Sequence, residues 1–210
     1  IRPANPAAVR GLAKGYLINT MSTRDAEAKL DSVAESFVRD MARDGVAAVD
    51  LGDAARALCD QAVSETEHYF QGDVSRVQDA WFTSPAVRKL AAWPAIRRLL
   101  RAAYGRDPFP FQTLNFRRGS QQHIHSDTIH FHSAPERFMC GVWIALEDIR
   151  PEAGPLIYHR GSHKLPVMTM RAAGVNDPEP SHLDYERYYV PRFAEAIAAA
   201  DLPVARAVLP

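Results

Sequence analysis

The residues best suited to chemistry lie in the stretch QHIHSDTIHF, residues 122–131. Six of the eight histidines fall within residues 123–163, and the centre of the stretch is His125-Ser126-Asp127. A β-strand projects residues i and i+2 to the same side, so His125 and Asp127 can face one metal ion from a sheet edge. Imidazole together with carboxylate suits Fe(II), Mn(II) or Zn(II). Taken alone, this pattern is frequent by chance, and a surface turn is the better explanation of it.

The neighbouring histidines extend this set of polar side chains. His123 can share the face of His125, either as a substrate contact or as a partner that orients the ligand. His130 and His132 follow the pair, and they either line the entrance to the site or face water on a polar strand or loop. One more His would complete the facial triad of non-haem Fe(II) oxygenases, which leaves positions open for a cosubstrate and dioxygen.

The order of hydrophobic patterns predicts helices first and strands afterwards, within one domain of residues 1–210. Apolar residues recur every three or four positions in residues 25–41, as in an amphipathic helix, and residues 1–108 as a whole are expected to be mostly helical. β-type runs follow in residues 109–210. The expected helices are 25–41, 53–70, 85–92, 94–104 and 184–199; the expected strands are 46–51, 111–117, 137–146 and 155–159, with another starting near 208; residues 1–23 are expected to be an irregular arm.

Composition argues against several classes of function. Lys plus Arg balance Asp plus Glu at 25 each, so no global charge attracts nucleic acid or an anionic membrane. The apolar share of 47% argues against disorder, and no apolar run approaches the roughly 20 residues of a membrane span. The first residues lack a signal-peptide pattern, and two cysteines do not make a disulfide framework. A cytoplasmic location is therefore expected, while the oligomeric state stays open.

Four blocks of sequence resemble the phytanoyl-CoA dioxygenase family of Fe(II)/2-oxoglutarate oxygenases. They are FQTLNFRRG, HIHSDTIHFH, RFMCGVWIALEDI and AGPLIYHRGSHKLP, which together span about residues 109–166. Their order and spacing are more specific than any single block, and Gly-Pro-Leu followed by Gly-Ser-His-Lys is especially typical of the family. The helical N-terminal part is also similar to that of the family.

The resemblance implies a mainly β fold with flanking helices (α+β), in which helices pack outside a double-stranded β-helix (jelly-roll) core. It implies that His125 and Asp127 are two of three iron ligands, and that Fe(II) and 2-oxoglutarate are cofactor and cosubstrate. Trp143 lies 16 residues after Asp127, where family members can place a residue against 2-oxoglutarate. Packing of this indole in the core is an equal alternative.

Gln112 and Asn115 lie on the strand that also contacts the cosubstrate in the family. Three positions apart, they cannot both face inward on an ideal strand without a bulge or twist. Asn115 is the better candidate, because a buried amide needs partners and a bound carboxylate would supply them.

The chain departs from the family pattern after its last helix. Family members carry a distal iron-binding His on a later strand, followed by an Arg that pairs with the far carboxylate of 2-oxoglutarate. Neither motif is present, and by the family's spacing the distal His would follow Pro210, so the chain is expected to be cut short there. His163 belongs to the Gly-Ser-His-Lys turn, which is structural in the family, and is not expected to be the third ligand.

The expected activity is hydroxylation of a C–H bond in a small-molecule or acyl substrate, with dioxygen consumed and succinate and CO2 released. Asp127 favours hydroxylation, because related halogenases vacate this position for a halide. One alternative is a jelly-roll binding or regulatory module with an incomplete metal site. The other is a Zn-dependent hydrolase with a metal-bound water as nucleophile. The identity of the substrate cannot be read from the residues.

Overall fold

Helices make up most of the regular structure in the N-terminal half. A computed structural model of the chain describes residues 23–120, 122–131 and 133–209, with side chains from residue 31 onward. The arm expected before residue 23 and the side chain of His132 lie outside the described residues. The helices are α1 Thr23–Asp44, α2 Asp53–Thr66, α3 Pro85–Ala91, α4 Pro94–Tyr104, α5 His182–Asp184 and α6 Val190–Ala199, with a π-helical turn at Tyr185–Tyr189 between the last two.

The predicted helices are confirmed to within a few residues, because the residues that signal helix ends in the sequence begin or end helices in the structure. Ser84 caps α3 by accepting a hydrogen bond from the backbone N–H of Val87 at 3.1 Å, and Pro85 occupies the first turn. Gly105 ends α4 in the left-handed region at φ 64°, where its N–H donates to the carbonyl of Arg101 at 2.8 Å. No described helix is long and apolar enough to cross a membrane.

Strands are short and form two separate antiparallel pairs. β1 (Arg76–Gln78) pairs with β2 (Leu114–Phe116), with Val77 opposite Asn115. β3 (Ile157–His159) pairs with β4 (Val204–Arg206), and Ile149 forms an isolated bridge with Leu209. The first pair carries the segment that leads into the histidine-rich stretch, and the second lies after it in the chain.

The hydrophobic core lies where α2 and α3 pack together. Its buried members are small or aliphatic: Ala55, Cys59, Ala62, Ala80, Ala86, Val87 and Leu90. Ile144 and Leu146 pack against this cluster from the segment predicted as a central strand. The residues that follow the histidine-rich stretch are thereby fixed to the helical half of the molecule.

Two strand predictions, residues 46–51 and 137–146, are wrong. Both segments are irregular in the structure. In the longer one, the carbonyls of Met139 and Ala145 accept side-chain hydrogen bonds from Tyr104 and Cys59 instead of pairing with another strand. The mixed α+β character is confirmed. The described residues form no β-sandwich, however, so the jelly-roll core stays a prediction.

Candidate metal site

His125 and Asp127 face each other across one extended residue. Their segment is not a strand: Asp127 begins a 3-10 turn, Asp127–Ile129. Ser126 nevertheless has extended backbone angles of φ −103° and ψ 134°, so its two neighbours project to the same side as they would on a strand. The Nε2 atom of His125 lies 3.4 Å from Oδ1 of Asp127, and the imidazole is 16% exposed.

The other ring nitrogen of His125 fixes the orientation of the imidazole. Nδ1 lies 2.7 Å from the backbone carbonyl of His123, which can only accept, so Nδ1 carries a proton and donates. In the neutral ring Nε2 then presents a lone pair toward the Asp127 carboxylate. Two facing lone-pair donors require a cation between them, either a proton or a metal ion.

The pKa shifts of the two groups agree with this arrangement. Hydrogen bonding to Asp127 raises the pKa of His125 against the opposing effect of burial. The same interaction lowers the pKa of the Asp127 carboxyl, again against burial. Two ligands that bind one metal at a right angle with bonds of roughly 2.1 Å are about 3.0 Å apart. The observed 3.4 Å is close to that spacing, so the donor pair fits a divalent cation.

Gly141 lies directly beside the Asp127 carboxylate. A Cβ atom built on this glycine would be 3.1 Å from Oδ2 of Asp127. The adjoining residue, Cys140, has a thiol whose pKa is raised by burial. The hydroxyl of Tyr104 donates to the carbonyl of Met139 at 3.3 Å and helps to hold this segment. Residues 139–141 therefore form one wall of the site, and the sequence prediction of a central strand did not single out Gly141.

A series of ring contacts runs from His125 to the C-terminal helix, edge-on or tilted at the histidines and stacked between the later rings. The His125 and His130 rings are 5.5 Å apart, and His130 lies 5.3 Å from Tyr185. Tyr185 stacks on Tyr189, which stacks on Phe193, each at 5.3 Å. Burial, and then the neighbouring His125, lowers the pKa of His130. His130 is exposed and its ring also contacts that of His125, so both alternatives for this residue stay open.

Glu186 links the histidine-rich stretch to the same helical segment. Its carboxylate oxygens lie 3.6 Å from Nε2 of His123 and 3.7 Å from Nε2 of His182. The imidazoles of His123 and His182 are both largely exposed. The sequence does offer a signal for this helical contact, because Tyr185, Tyr189 and Phe193 recur at four-residue spacing, but that pattern was not connected to the metal pair.

The structure does not bring the expected cosubstrate residues into contact with the metal pair. Gln112 and Asn115 are half-buried, and Trp143 is 45% exposed. Within the described ranges, no hydrogen bond or ring contact joins any of the three to His125 or Asp127. Gln112 lies before the start of β2. The alternation of side chains along a strand therefore does not determine which way Gln112 points relative to Asn115.

His163 lies at the end of α1. Its Nε2 atom is 3.3 Å from the carbonyl of Ala42, and Arg137 donates to the His163 and Leu165 carbonyls. Lys164 donates to the carbonyl of Arg43 at 3.0 Å. The Gly-Ser-His-Lys turn therefore supplies partners for the last carbonyls of a helix, which is a structural task. In the part of the chain that the structure describes, no cluster of three His, Cys, Asp or Glu side chains is arranged to hold a metal.

A histidine and a carboxylate paired on an α+β scaffold define a candidate metalloprotein. The profile of the phytanoyl-CoA dioxygenase (PhyH) family matches residues 38–199, which is most of the chain, and the chain belongs to this family. The family is part of the Fe(II)/2-oxoglutarate-dependent oxygenase superfamily. Its members generally use Fe(II) and 2-oxoglutarate. Neither the curated proteins nor the solved structures contain a significant match to the chain.

Proposed function

We propose that this protein is an Fe(II)- and 2-oxoglutarate-dependent dioxygenase that hydroxylates a C–H bond of a small-molecule or acyl substrate. His125 and Asp127 act as two of the three iron ligands. The supporting observation is that Nε2 of His125 and Oδ1 of Asp127 face each other at 3.4 Å while the His123 carbonyl holds the opposite ring nitrogen. Second partners of this kind orient metal-binding histidines. Membership of the PhyH family supports the same assignment.

Iron and 2-oxoglutarate, when bound, supply the oxidising chemistry: dioxygen and 2-oxoglutarate yield succinate and CO2, and one oxygen atom enters the substrate C–H bond as hydroxyl. The chain contributes position and charge. The His123 carbonyl keeps the Nε2 lone pair of His125 directed at the metal. Asp127 adds a negative charge and occupies the position that a halide would need, which favours hydroxylation over halogenation.

The proposal extends to the fold and to the cosubstrate pocket. Residues 1–210 belong to one oxygenase domain with a helical part up to 108 and a jelly-roll part after it. Trp143, Asn115 and Gln112 contact 2-oxoglutarate, and a third iron ligand and a carboxylate-binding Arg complete the site. The half-buried positions of Gln112 and Asn115 support access to a bound carboxylate. The substrate partners are a small molecule and dioxygen, and the proposed location is the cytoplasm.

An anaerobic titration of the full-length protein with Fe(II) and 2-oxoglutarate tests this function. We expect a saturable visible charge-transfer band, which arises when 2-oxoglutarate chelates a protein-held iron. Asp127→Ala and His125→Ala should each abolish the band and substrate-dependent succinate formation, because each removes a direct ligand. Glu136→Ala, an exposed carboxylate near the site in sequence, is the matched control and should behave as wild type.

Two results would contradict the proposal. Wild-type turnover in Asp127→Ala would remove this carboxylate from the metal site. A folded protein that binds zinc stoichiometrically but gives no 2-oxoglutarate band would favour hydrolysis by a metal-bound water instead.

A further inference from the structure

Among the described residues, the hydrogen bonds of segment 123–130 stay within the histidine-rich stretch. Nδ1 of His125 donates to the His123 carbonyl, and the Ser126 hydroxyl lies 2.8 Å from that of Thr128. The backbone hydrogen bonds of the segment only close its 3-10 turn. Contacts of other kinds must therefore hold the segment, and with it the metal pair, against the rest of the molecule.

Tyr185 provides one of these contacts, at the C-terminal end of the segment. Its ring lies 5.3 Å from the His130 ring, with the two planes inclined at 48°. The His130 ring in turn meets the His125 ring edge-on at 5.5 Å. Tyr185 also stacks on Tyr189, which is completely buried, so the Tyr185 ring is anchored to the interior. An anchored ring is thus linked to a proposed metal ligand through a single histidine.

Glu186, the next residue of the chain, provides a contact at the other end of the segment. Its Oε2 atom lies 3.6 Å from Nε2 of His123. The backbone carbonyl of the same His123 accepts the Nδ1–H of His125 at 2.7 Å, which is the bond that orients the imidazole. Two consecutive residues therefore reach both ends of the segment, and the metal pair lies between the two points.

We propose that Tyr185 and Glu186 are positioning residues for the metal pair. The Tyr185 ring holds His130 at one end of the segment. The Glu186 carboxylate holds His123 at the other end, so that the two proposed ligands between them stay facing each other. Both residues stand on the π-helical turn, a rare form that occurs frequently at functional sites. This role rests on the proposed function, because it concerns the geometry of the iron ligands.

Tyr185→Leu tests the ring contact, because it removes the ring and keeps an apolar side chain. Co(II) serves as the probe metal for the full-length protein, since its visible spectrum reports ligand geometry. Loss of a partner that orients a metal ligand costs roughly 10- to 100-fold in affinity, and Tyr185 acts through His130, so we expect the Co(II) Kd to rise about tenfold. The spectrum at saturation should also change. Tyr185→Phe keeps the ring and should retain the wild-type Kd and spectrum.

Tyr188→Leu is the matched control, because it removes a ring of the same size from the same turn. The Tyr188 ring lies 5.4 Å from the Arg187 guanidinium, and its loss should leave the Co(II) Kd and spectrum as in wild type. A Tyr185→Leu variant with wild-type Kd and spectrum would overturn the proposal, even where its melting temperature falls. An equal change in both leucine variants would also overturn it, since the effect would then report damage to the helical turn.

Glu186→Gln tests the contact at the other end. An exposed ion pair is weak, so we expect the Co(II) Kd to rise only about twofold at low ionic strength. High salt should bring the two Kd values together, because it screens the pair in the wild-type protein. Glu195→Gln, which changes an exposed acid on α6, is the control. Equal Kd values for wild type and Glu186→Gln at low ionic strength would refute the hold on His123.

A measurement on the metal-free wild-type protein decides the matter if Tyr185→Leu does not fold. The ring protons of His130 and Tyr185 should show a nuclear Overhauser effect, because the two rings are in contact. Absence of this signal in the folded wild-type protein would overturn the proposal without any variant.

Amide exchange separates this inference from the proposed function. A wild-type protein that takes up neither Co(II) nor Fe(II) would contradict the oxygenase assignment. The His130 N–H donates to the Asp127 carbonyl at 3.0 Å, so it reports on the segment whether or not a metal binds. Faster exchange of this amide in Tyr185→Leu than in wild type would still support the hold on the segment, and equal exchange would refute it.

Discussion

Gly141 leaves only enough room for the carboxylate of Asp127 beside it: a Cβ on Gly141 would lie 3.1 Å from Oδ2. That separation is shorter than an ordinary van der Waals contact. In the metal-free protein the carboxylate can rotate away, because Asp127 is about half exposed. Once the carboxylate binds a metal, its position is fixed, so crowding at residue 141 acts on the bound state.

We therefore expect Gly141→Ala to weaken Fe(II) binding by about tenfold, which corresponds to ~1.4 kcal/mol, while the metal-free protein keeps its melting temperature. Competitive titration with a chelator, together with thermal unfolding of metal-free protein, measures both quantities. Gly119→Ala is the matched control, because its added Cβ would meet the Gly154 carbonyl at an ordinary 3.6 Å. Equal iron affinity in the two variants would show that Gly141 does not shape the site.

The sequence predicted the helices and the approach of His125 to Asp127 well, because both depend on local signals. Capping residues and hydrophobic periodicity are read within one segment, and His125-Ser126-Asp127 needs a single extended residue to bring its two side chains together. Residues 137–146 were predicted as a central strand from their apolar composition. Composition cannot show whether a partner strand lies alongside. In this segment the side chains of Tyr104 and Cys59 donate hydrogen bonds to backbone carbonyls that would otherwise pair with another strand.

The walls of the site were harder to predict, because they come from distant parts of the chain. Gly141 approaches Asp127 only after folding, and glycine does not signal metal binding by itself. Residues 184–199 were predicted to be helical, but the ring contact of Tyr185 with His130 was not predicted. Long-range contacts of this kind require the three-dimensional structure.

Trp143 is expected to serve the cosubstrate more than the fold. Its indole is 45% exposed and so contributes little to the core. Trp143→Ala should raise the half-saturating concentration of 2-oxoglutarate by about tenfold, with a small change in melting temperature. Succinate formation at varied 2-oxoglutarate measures the first quantity. Trp93→Ala should show the opposite pattern, because Trp93 packs against the hydrophobic core. A Trp143 variant that only loses stability would assign the indole to packing.

We expect Glu65 to make the free energy of unfolding depend on pH in the acidic range. Its carboxylate accepts hydrogen bonds from the Ser84 hydroxyl at 2.5 Å and from the Ala86 amide at 3.0 Å, at the start of α3. These bonds, the Ser84 bond first, lower the pKa of Glu65. A carboxyl whose folded pKa is depressed adds stability above its unfolded pKa of about 4.3, and that contribution is lost as the pH falls through the folded pKa.

Urea unfolding of Glu65→Gln should therefore show a lower free energy than wild type at neutral pH and a smaller difference below about pH 4. Glu67→Gln is a suitable control, since Glu67 is an exposed acid close by in the sequence. A Glu65 variant whose deficit is the same at both pH values would mean that the charge of this group does not matter.

Gly45 and His163 test the structural role of the Gly-Ser-His-Lys turn. Gly45 ends α1 at φ 76°, and a Cβ there would overlap the imidazole of His163. Gly105 ends α4 at φ 64° and ψ 16° with nothing within 4 Å of an added Cβ, so Gly105→Ala carries only the backbone cost, about 1 kcal/mol. Gly45→Ala should lower the free energy of unfolding by more, roughly 3 kcal/mol, because the ring must also move.

A double-mutant cycle separates these two contributions. Adding His163→Ala to Gly45→Ala removes the ring that the new methyl group would meet, so the double variant should be more stable than the sum of the single effects requires. Urea unfolding of the four proteins gives the coupling free energy. Additive effects would mean that the end of α1 does not pack on His163 in solution. Because the turn lies on the helix and not at the metal pair, iron affinity should follow wild type in every folded variant.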